Sequence, residues 1–230
     1  MKDDRYKLKE RLENIWSVPD LHPFFQKYSK RPAHKVLEGT ILFNAGDFLN
    51  GIYFVKSGLI KLYKISDEGK ETIVYLTGPG NMLGLRALIS KNECAHHYAE
   101  AITDCEVYQM SRDDYFDILS DNPEYLVDLG AAFIERLNHA ERRVEGFVSD
   151  DATAKVANFL LDSAIRFGKN SGKSITFPFP LTHQRIAEFV GVYRETVTNS
   201  LHELEKLGAV ELKRSTIKIL DLAKLKAATL

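Results

Sequence analysis

The stretch LTHQRIAEFVGVYRETVTNSL, residues 181–201, has the pattern of two short helices joined by a tight turn. Thr182 is a residue type that caps helix N-termini, and Ala187 is small enough for a second helix to cross closely. Gly191 readily adopts the left-handed conformation that such a turn needs. The apolar residues that would face inward are Ile186, Ala187 and Val190 in the first helix and Val192, Val197 and Leu201 in the second. This pattern predicts a helix-turn-helix from about residue 182 to residue 207.

The other side of the second helix is polar and mixed in charge. It carries Arg194, Glu195, Thr198, Asn199 and His202. An Arg side chain can donate two hydrogen bonds to guanine, and a Glu side chain can accept one from cytosine. This face therefore suits base edges in the major groove of DNA, although a helix face that is only solvated would have a similar composition.

The segments around this motif predict a winged helix-turn-helix. The expected elements are an amphipathic helix over residues 152–167, a strand over 174–177, and a hairpin with strands over 209–212 and 217–220. Lys213 and Arg214 lie at the tip of the hairpin, where their charges suit phosphate contacts.

Short β-rich stretches recur from about residue 31 to residue 110. They cover residues 40–43, 51–55, 59–65, 71–76 and 106–110, with a hairpin turn at 67–70. Such spacing between glycine or Asn/Asp turns predicts an antiparallel sandwich or barrel. A polar segment over residues 7–28, interrupted by Pro19 and Pro23, predicts a helix before it.

After Asn122-Pro123, apolar residues recur at steps of three and four along a long predicted helix. They are Leu129, Phe133, Leu137, Ala140, Val144 and Phe147. This stripe is typical of a coiled-coil seam or of a helix lying on a domain. We expect a homodimer seam, because the helix follows a complete β domain and ends at a polar linker, residues 149–151. The opposite face is expected to meet water and carries Glu135, Arg136, Arg142, Arg143 and Glu145.

Charge is distributed unevenly along the 230 residues, whose formal net charge is −1. Residues 152–230 contain twelve Lys and Arg against seven Asp and Glu, whereas the remainder contains 19 against 25. A basic module on an acidic body fits phosphate binding, and an uneven surface charge without function would give the same counts.

Composition also excludes several classes of protein. No apolar run reaches the roughly 18 residues of a membrane span, and the charged start lacks a signal-peptide core, so we expect a cytoplasmic protein. Two cysteines, Cys94 and Cys105, are too few for a disulfide framework or a four-cysteine iron–sulfur site.

Residues 181–212, and Arg194-Glu195-Thr196-Val197 above all, resemble the signature of the Crp/Fnr family of bacterial transcription regulators. The resemblance covers most of the chain, because residues 39–47, 52–58, 67–71 and 78–84 resemble the family's effector domain. It implies an α+β protein with an N-terminal antiparallel β-roll, similar to a double-stranded β-helix or jelly roll, a long dimerisation helix and a C-terminal winged helix-turn-helix. The implied domains are residues 1–122, 123–150 and 151–230.

The resemblance also implies a set of DNA-binding residues. The resemblance implies that Arg194 and Glu195 contact bases and that other members of the set lie at or near phosphates. With the residues chosen by charge and position, the expected set is Thr182, His183, Gln184, Arg194, Glu195, Thr196, Thr198, Asn199, Lys213 and Arg214. The family commonly has Arg where this chain has Asn199, and Asn favours adenine where Arg favours guanine, so we expect an altered half-site. The implied partners are double-stranded DNA with a near-palindromic operator, a second copy of the chain, and RNA polymerase.

The effector is expected to differ from cyclic AMP. Cyclic-nucleotide members of the family have a Glu after the glycine that Gly84 matches and an Arg-Ser pair about ten residues on, where this chain has Leu85 and Ala95-His96. A phosphate needs a cation or a nest of donors, which this match does not supply. The expected effector region comprises Gly84, Leu85, Arg86, Ala87, His96, Ala140 and Glu141. Arg86 faces either an anionic effector or the surface, and the effector itself is not identified.

Two alternatives stay open at this point. His96-His97 near Cys94 would suit a haem- or metal-dependent gas sensor of the same fold, since imidazole and thiolate bind both. Adjacent residues of a strand point to opposite sides, however, so the pair is no simple two-ligand face. A cupin-like metal enzyme needs several converging His and carboxylate ligands, and the β domain has only His34 besides this pair. We expect no catalytic residues and no resident metal, but a regulator that answers a small molecule or a redox or gas signal.

Overall fold

The computed structural model describes residues 26–27, 29, 32–89, 94–122, 125–149, 151–172, 174–213 and 216–229. They divide into two compact units, one ending at Asn138 and the other beginning at His139. The helix expected over residues 7–28 lies almost entirely outside the described residues.

The unit that ends at Asn138 is built on two antiparallel sheets. Its described strands are β1 (His34–Val36), β2 (Ile41–Phe43), β3 (Gly51–Ser57), β4 (Ile60–Ile65), β5 (Glu71–Thr77), β6 (Met82–Leu83), β7 (Tyr98–Ala101) and β8 (Cys105–Ser111). One sheet has the order β1-β8-β3-β6 and the other β2-β7-β4-β5. The predicted antiparallel roll is confirmed, and the turn at residues 67–70 does join two paired strands, β4 and β5. Strands β1, β6 and β7 are additional to the predicted ones.

Alternation along β3 separates two apolar clusters. Val55 belongs to the cluster between the sheets, together with residues of both, such as Ile60 from β4 and Val107 from β8. Ile52 and Phe54 belong to a second cluster, on the other face of the same sheet. Because side chains of a strand alternate between faces, β3 contributes side chains both to the roll interior and to an outer layer.

Helices form that outer layer. They are α1 (Arg86–Ile89), α2 (Arg112–Asp121) and the start of α3 (Tyr125–Ser149). Helix α2 was not expected from the sequence. The Ser111 hydroxyl caps it by accepting a hydrogen bond from the Asp114 backbone N–H at 3.1 Å, and Tyr115 and Leu119 are buried in the second cluster. Leu129 of α3 also packs there.

Helix α3 carries an exposed apolar stripe, as the sequence pattern predicts. Leu137 and Val144 are 57% and 62% exposed, and Ile134, which the pattern did not single out, is 61% exposed. The charged face differs from the expectation. Arg136 does not simply meet water, because its Nη2 donates to the Met82 carbonyl at 2.9 Å and its guanidinium lies 4.9 Å from the Tyr75 ring centroid. The Phe147 and Glu135 side chains lie outside the described part of the chain.

The unit that begins at His139 contains the end of α3 and a winged arrangement. Its further elements are α4 (Ala152–Phe167), β9 (Lys169–Ser171), β10 (Ser174–Thr176), α5 (His183–Val190), α6 (Arg194–Lys206), β11 (Val210–Lys213), β12 (Thr216–Ile219) and α7 (Leu222–Ala227). The strands form one sheet in the order β11-β12-β10-β9. Strand β9 is additional to the predicted elements. Asp151 caps α4 by accepting a hydrogen bond from the Ala154 N–H at 2.8 Å.

Replacing Gly58 by alanine should destabilise the roll. Gly58 has φ +84, and a Cβ there would overlap the Asp104 carbonyl and lie 2.5 Å from Cys105 Sγ. Gly69→Ala is the matched control, since Gly69 has φ +78 but no atom within 4 Å of such a Cβ. Backbone strain should cost both variants about 1 kcal/mol, and overpacking should cost Gly58→Ala about 1–3 kcal/mol more. Thermal unfolding followed by circular dichroism checks this, and equal melting temperatures for the two variants would contradict it.

Candidate nucleic-acid interface

Helix α5 and the turn after it have the predicted local structure. The Thr182 hydroxyl accepts from the Arg185 backbone N–H at 3.1 Å, which is the expected N-cap. Gly191 ends the helix in the left-handed conformation with φ 76. The Ala187 carbonyl accepts from both Gly191 and Val192 N–H groups, at 2.9 and 3.3 Å. These bonds close the tight turn that leads to α6.

Helix α6 has one buried and one exposed face. The buried residues are Val197, Ser200, Leu201 and Leu204. Val192, which was expected in this helix, lies in the turn before it, because α6 begins at Arg194. Arg194, Glu195, Asn199 and His202 are exposed, as expected. Four side chains of the proposed reading face thus lie on the same open side of the helix.

Thr198 differs from that expectation because it is half-buried and engaged within the motif. Its hydroxyl donates to the Arg194 carbonyl at 3.0 Å, and its Oγ1 lies 2.8 Å from His183 Nδ1. A hydroxyl has one hydrogen, so His183 is the donor in the second bond. Burial lowers the pKa of His183, and the charges of Arg194 and His202 lower it further, which favours the neutral ring. Thr198 therefore links α5 to α6.

The residues expected near phosphates are only partly accessible. Thr182 and Gln184 are exposed, and Thr196 is half-buried. Gln184 Nε2 donates to Glu188 Oε1 at 2.9 Å, which holds the amide on the surface of α5. Lys213 is exposed on β11, with Nζ 3.4 Å from Glu211 Oε1; exposed pairs of this kind contribute little to stability and separate easily. Arg214 lies outside the described residues.

Tyr193 is a further exposed residue at this surface that the sequence reasoning did not single out. It occupies the N-cap position of α6, makes no side-chain capping bond, and is 78% exposed. Ser, Thr, Asp and Asn are the usual N-cap residues. An aromatic residue directly before Arg194 is unusual in that position, and this is the feature of the sequence that could have identified it.

Arg143 of α3 was expected to meet water, but like Arg136 it contacts other parts of the protein. Its Nη2 donates to the Phe189 carbonyl at 2.8 Å, and its guanidinium lies 4.5 Å from the Phe189 ring centroid. Burial lowers the pKa of this guanidinium, which nevertheless stays charged at neutral pH. The carbonyl belongs to the last turn of α5, where helices have unsatisfied acceptors and favour cations. Arg143 therefore caps the first helix of the motif.

The expected effector region divides between the core and the surface. Gly84 has φ +76 and lies against the Gly51 carbonyl. Leu85 is buried in the outer cluster under α1 and α2. Ala87 is also buried, whereas Arg86 and His96 are exposed. Ala140 and Glu141 are on α3 and belong to the other unit, and both are exposed.

His96 and His97 lie in a bend before β7 rather than in a strand. The alternation of side chains along a strand therefore does not apply to them. His97 is half-buried. Burial lowers its pKa to about 4, with smaller effects from the positive charges of Lys64, His96, Arg136 and Arg86. The described ring is therefore neutral at physiological pH and lies among cations.

The described residues contain neither a cluster suited to a metal ion nor a helix suited to a membrane. No three His, Cys, Asp or Glu side chains come together in a way that could hold a metal ion. No helix in the described part combines the length and apolar character needed to cross a bilayer.

Comparison with known proteins matches both units. A cyclic nucleotide-binding domain model matches residues 33–122, and a Crp-like helix-turn-helix domain model matches residues 154–228. The nitrogen fixation regulation protein FixK of Bradyrhizobium diazoefficiens is 30% identical over 190 residues, covering 82% of this chain and 78% of FixK. The chain belongs to the Crp/Fnr family of transcription regulators. The family expected from the sequence is thus confirmed.

Other Crp/Fnr proteins extend the similarity to most of the chain. A CRP-like cAMP-activated global transcriptional regulator of Mycobacterium tuberculosis is 27% identical over 183 residues, covering 80% of this chain and 81% of that protein. A solved CRP/FNR-family transcriptional regulator from Thermus thermophilus is 26% identical with a TM-score of 0.72, covering 86% of this chain and 97% of the other. These relatives are regulators and not enzymes, so the cupin-like enzyme is not retained.

The stability of this Crp/Fnr regulator should depend on His97 at acidic pH. The pKa of His97 is about 4 in the folded chain against 6.5 for a free side chain. Between these pH values the unfolded chain binds a proton that the folded ring does not, so the free energy of unfolding falls as pH decreases from about 6.5 to about 4 and levels below that. We expect His97→Gln to flatten this decrease in urea unfolding midpoints. His34→Gln, at an exposed histidine, should leave the slope unchanged, and an unchanged slope in His97→Gln would refute the prediction.

Proposed function

We propose that this Crp/Fnr regulator is a homodimer whose β-roll responds to a small-molecule effector other than cyclic AMP and whose α6 helices read a near-palindromic operator. The observation that supports this most directly is the outward face of α6, where Arg194, Glu195 and Asn199 are exposed while the opposite face is buried. We assign effector sensing to residues 1–122, pairing to 123–150 and DNA binding to 151–230. Such a protein acts in the cytoplasm, where its operator is.

Base reading is assigned to the three exposed residues in the first two turns of α6. The Arg194 guanidinium can donate two hydrogen bonds to guanine, and the Glu195 carboxylate can accept from cytosine. Asn199 lies on the same exposed side and favours adenine. Thr198 is assigned a positioning role instead, since its hydroxyl is already bonded to His183 and to the Arg194 carbonyl.

Phosphate contacts are assigned to residues that flank this face. Thr182 and Gln184 are exposed around the N-terminus of α5, and Lys213 is exposed on the wing. Polar side chains and cations in such positions fix the register of a helix in the groove without reading sequence. Thr196 joins the set by resemblance to the family, and Arg214 joins it by its charge.

Pairing is assigned to the apolar stripe of α3. Phe133, Leu137 and Val144 are exposed large apolar residues on one helix, at heptad-like spacing. Burying them against a second copy removes apolar surface from water, which stabilises a dimer. A two-fold dimer needs half-sites about one helical turn, roughly 34–36 Å, apart. Contact with RNA polymerase, expected for an activator of this family, belongs to the same proposal.

The proposed effector carries negative charge. Leu85 and Ala95 are buried at the positions where cyclic-nucleotide members of the family have Glu and Arg, which disfavours a ribose phosphate bound in their manner. Arg86, Lys64 and Arg136 lie near His97 and lower its pKa by their charge. An anion bound among them would be stabilised by the same charges and would raise the pKa of His97 towards its usual value.

DNA binding is tested with an operator selected from randomised duplexes by the purified protein. Arg194→Ala should lose about 1–3 kcal/mol of affinity, or roughly 5- to 150-fold, and relax selection at one base pair of each half-site. Lys213→Gln should weaken binding evenly across sequences and reduce the salt slope by about 1. Lys206→Ala is the control, because Lys206 is an exposed residue about 18 Å further along the same helix. Full affinity and unchanged selection in Arg194→Ala would sink the assignment.

Pairing is tested by adding charge to the stripe. Leu137→Glu combined with Val144→Glu should convert the protein from a dimer to a monomer near the 26.1 kDa of one chain, because two carboxylates would have to be buried. Arg142→Glu changes the net charge by the same amount on the other side of α3 and should leave the dimer intact. Native mass spectrometry gives the masses directly, and a dimer that persists in the double variant would exclude this seam.

A further inference from the structure

Three side chains that are cationic or can become cationic lie together where α5 meets α6. They are His183, the first residue of α5, and Arg194 and His202 on α6. On α6, Arg194, Thr198 and His202 follow one another at intervals of four residues, so their side chains form one row on the helix surface. The His183 ring contacts the middle of this row, with Nδ1 2.8 Å from Thr198 Oγ1. The ring therefore lies beside the face assigned above to base reading.

The bond to Thr198 determines which nitrogen of the His183 ring can gain a proton. The Thr198 hydroxyl gives its only hydrogen to the Arg194 carbonyl, at 3.0 Å. His183 therefore donates from Nδ1–H, and Nε2 is the basic nitrogen of its neutral form. A proton added at Nε2 leaves Nδ1–H in place. The bond between α5 and α6 thus persists in both charge states, and protonation changes the charge of the surface without breaking the contact between the helices.

In the free chain, the surroundings of His183 oppose this proton. Partial burial lowers the pKa of His183 most, and the positive charges of Arg194 and His202, the charged groups of α6 that face the ring, lower it further. Helix α4 also packs against α5. The charged residues of α4 and of α5 itself are not among the described groups that shift this pKa; they are Lys155, Asp162, Arg166, Arg185 and Glu188. The free chain therefore favours the neutral ring.

Bound DNA reverses this preference. Thr182 and Gln184, the neighbours of His183 in sequence, are exposed and are assigned above to phosphate contacts. Phosphates at this position bring negative charge next to a ring whose neighbours Arg194 and His202 oppose protonation. An opposite charge within about 4–6 Å favours the charged form of a histidine. The same surface that disfavours the imidazolium in the free chain therefore favours it in the complex.

We propose that DNA binding at this surface is coupled to protonation of His183. The ring is neutral in the free chain and takes up one proton from the solvent at Nε2 when the operator binds, and the imidazolium then pairs with a backbone phosphate. Binding therefore tightens as the pH falls. The inference rests on the DNA-binding function proposed above and adds a response to pH that Arg194 cannot supply, because a guanidinium keeps its charge at every physiological pH.

Proton linkage determines the direction and the range of the effect. Where the bound chain holds a proton that the free chain does not, each decrease of one pH unit strengthens binding by up to about tenfold per histidine. Above the pKa of the bound ring neither state is protonated, and below the pKa of the free ring both states are. The dependence is therefore confined to the interval between these two pKa values, and both copies of His183 contribute in the proposed dimer.

The test measures the affinity of the full-length protein for the selected operator by fluorescence anisotropy, from about pH 8 to about pH 6. The affinity of the unmodified chain should rise about tenfold or more over this range. His183→Gln has a neutral amide that can still donate to Thr198, so it should bind as the unmodified chain does at the alkaline end and show no rise. His183→Arg has a permanent charge and should bind tightly across the whole range. His202→Gln is the matched control on α6 and should keep the rise.

Proton uptake is also measured directly. Calorimetry of operator binding at about pH 7, in two buffers with different ionisation enthalpies, should show uptake of up to about one proton per chain in the unmodified protein and none in His183→Gln. The slope of log affinity against log salt should be steeper by about one per chain at the acidic end of the range, because one more phosphate is neutralised. A histidine that only supports the fold would change affinity equally at every pH, without proton uptake.

Circular dichroism at each pH shows that the variants are folded. Affinity that is equal at both ends of the range, or a rise that persists in His183→Gln and disappears in His202→Gln, would overturn the inference. Selection of the operator tests the proposed function separately. If no sequence is enriched at any pH, the DNA-binding assignment fails and this inference fails with it. Selective binding without pH dependence rejects only the inference.

Discussion

The left-handed turn at Gly191 sets the orientation of α6, and the character of the interface follows from it. The Ala187 carbonyl accepts from the N–H groups of both Gly191 and Val192, so the chain leaves α5 in one defined direction. Each residue of an α-helix is rotated by about 100° from the previous one. A change of register by one residue would therefore turn Val197 towards solvent and bring polar neighbours into the core. Burial of Val197, Leu201 and Leu204 selects the register that leaves Arg194 and Glu195 outside.

A residue distant in sequence also holds the C-terminal end of α5, next to this turn. Arg143 donates to the Phe189 carbonyl and lies over the Phe189 ring, so one side chain satisfies a helix-end acceptor and covers an aromatic face. A hydrogen bond from a charged donor stabilises by more than a neutral one. Together with the bond between His183 and Thr198, it leaves both ends of α5 tied to neighbouring helices.

Sequence patterns predicted the features that short-range chemistry determines. The cap at Thr182, the turn at Gly191 and the hairpin at residues 67–70 each depend on a few adjacent residues, and all were found in place. Helix α2 was missed because it has only two fully buried residues, Tyr115 and Leu119. The partial burial of Arg136, Arg143 and Thr198 was missed for another reason. Long or small polar side chains are covered by residues distant in sequence, so the helical period alone assigns them to solvent.

Helix α3 joins the two proposed activities through its two faces. Its exposed stripe is the proposed seam, and its opposite face holds Phe189 through Arg143 and His139. Because the helix is continuous from Tyr125 to Ser149, a rotation at the seam turns both faces by the same angle. In the proposed dimer, any effector that changes how two α3 helices meet must therefore also shift or strain the contact with Phe189. That contact lies two residues from the turn that orients α6, which gives the pairing of two chains a short physical connection to the spacing of their reading faces.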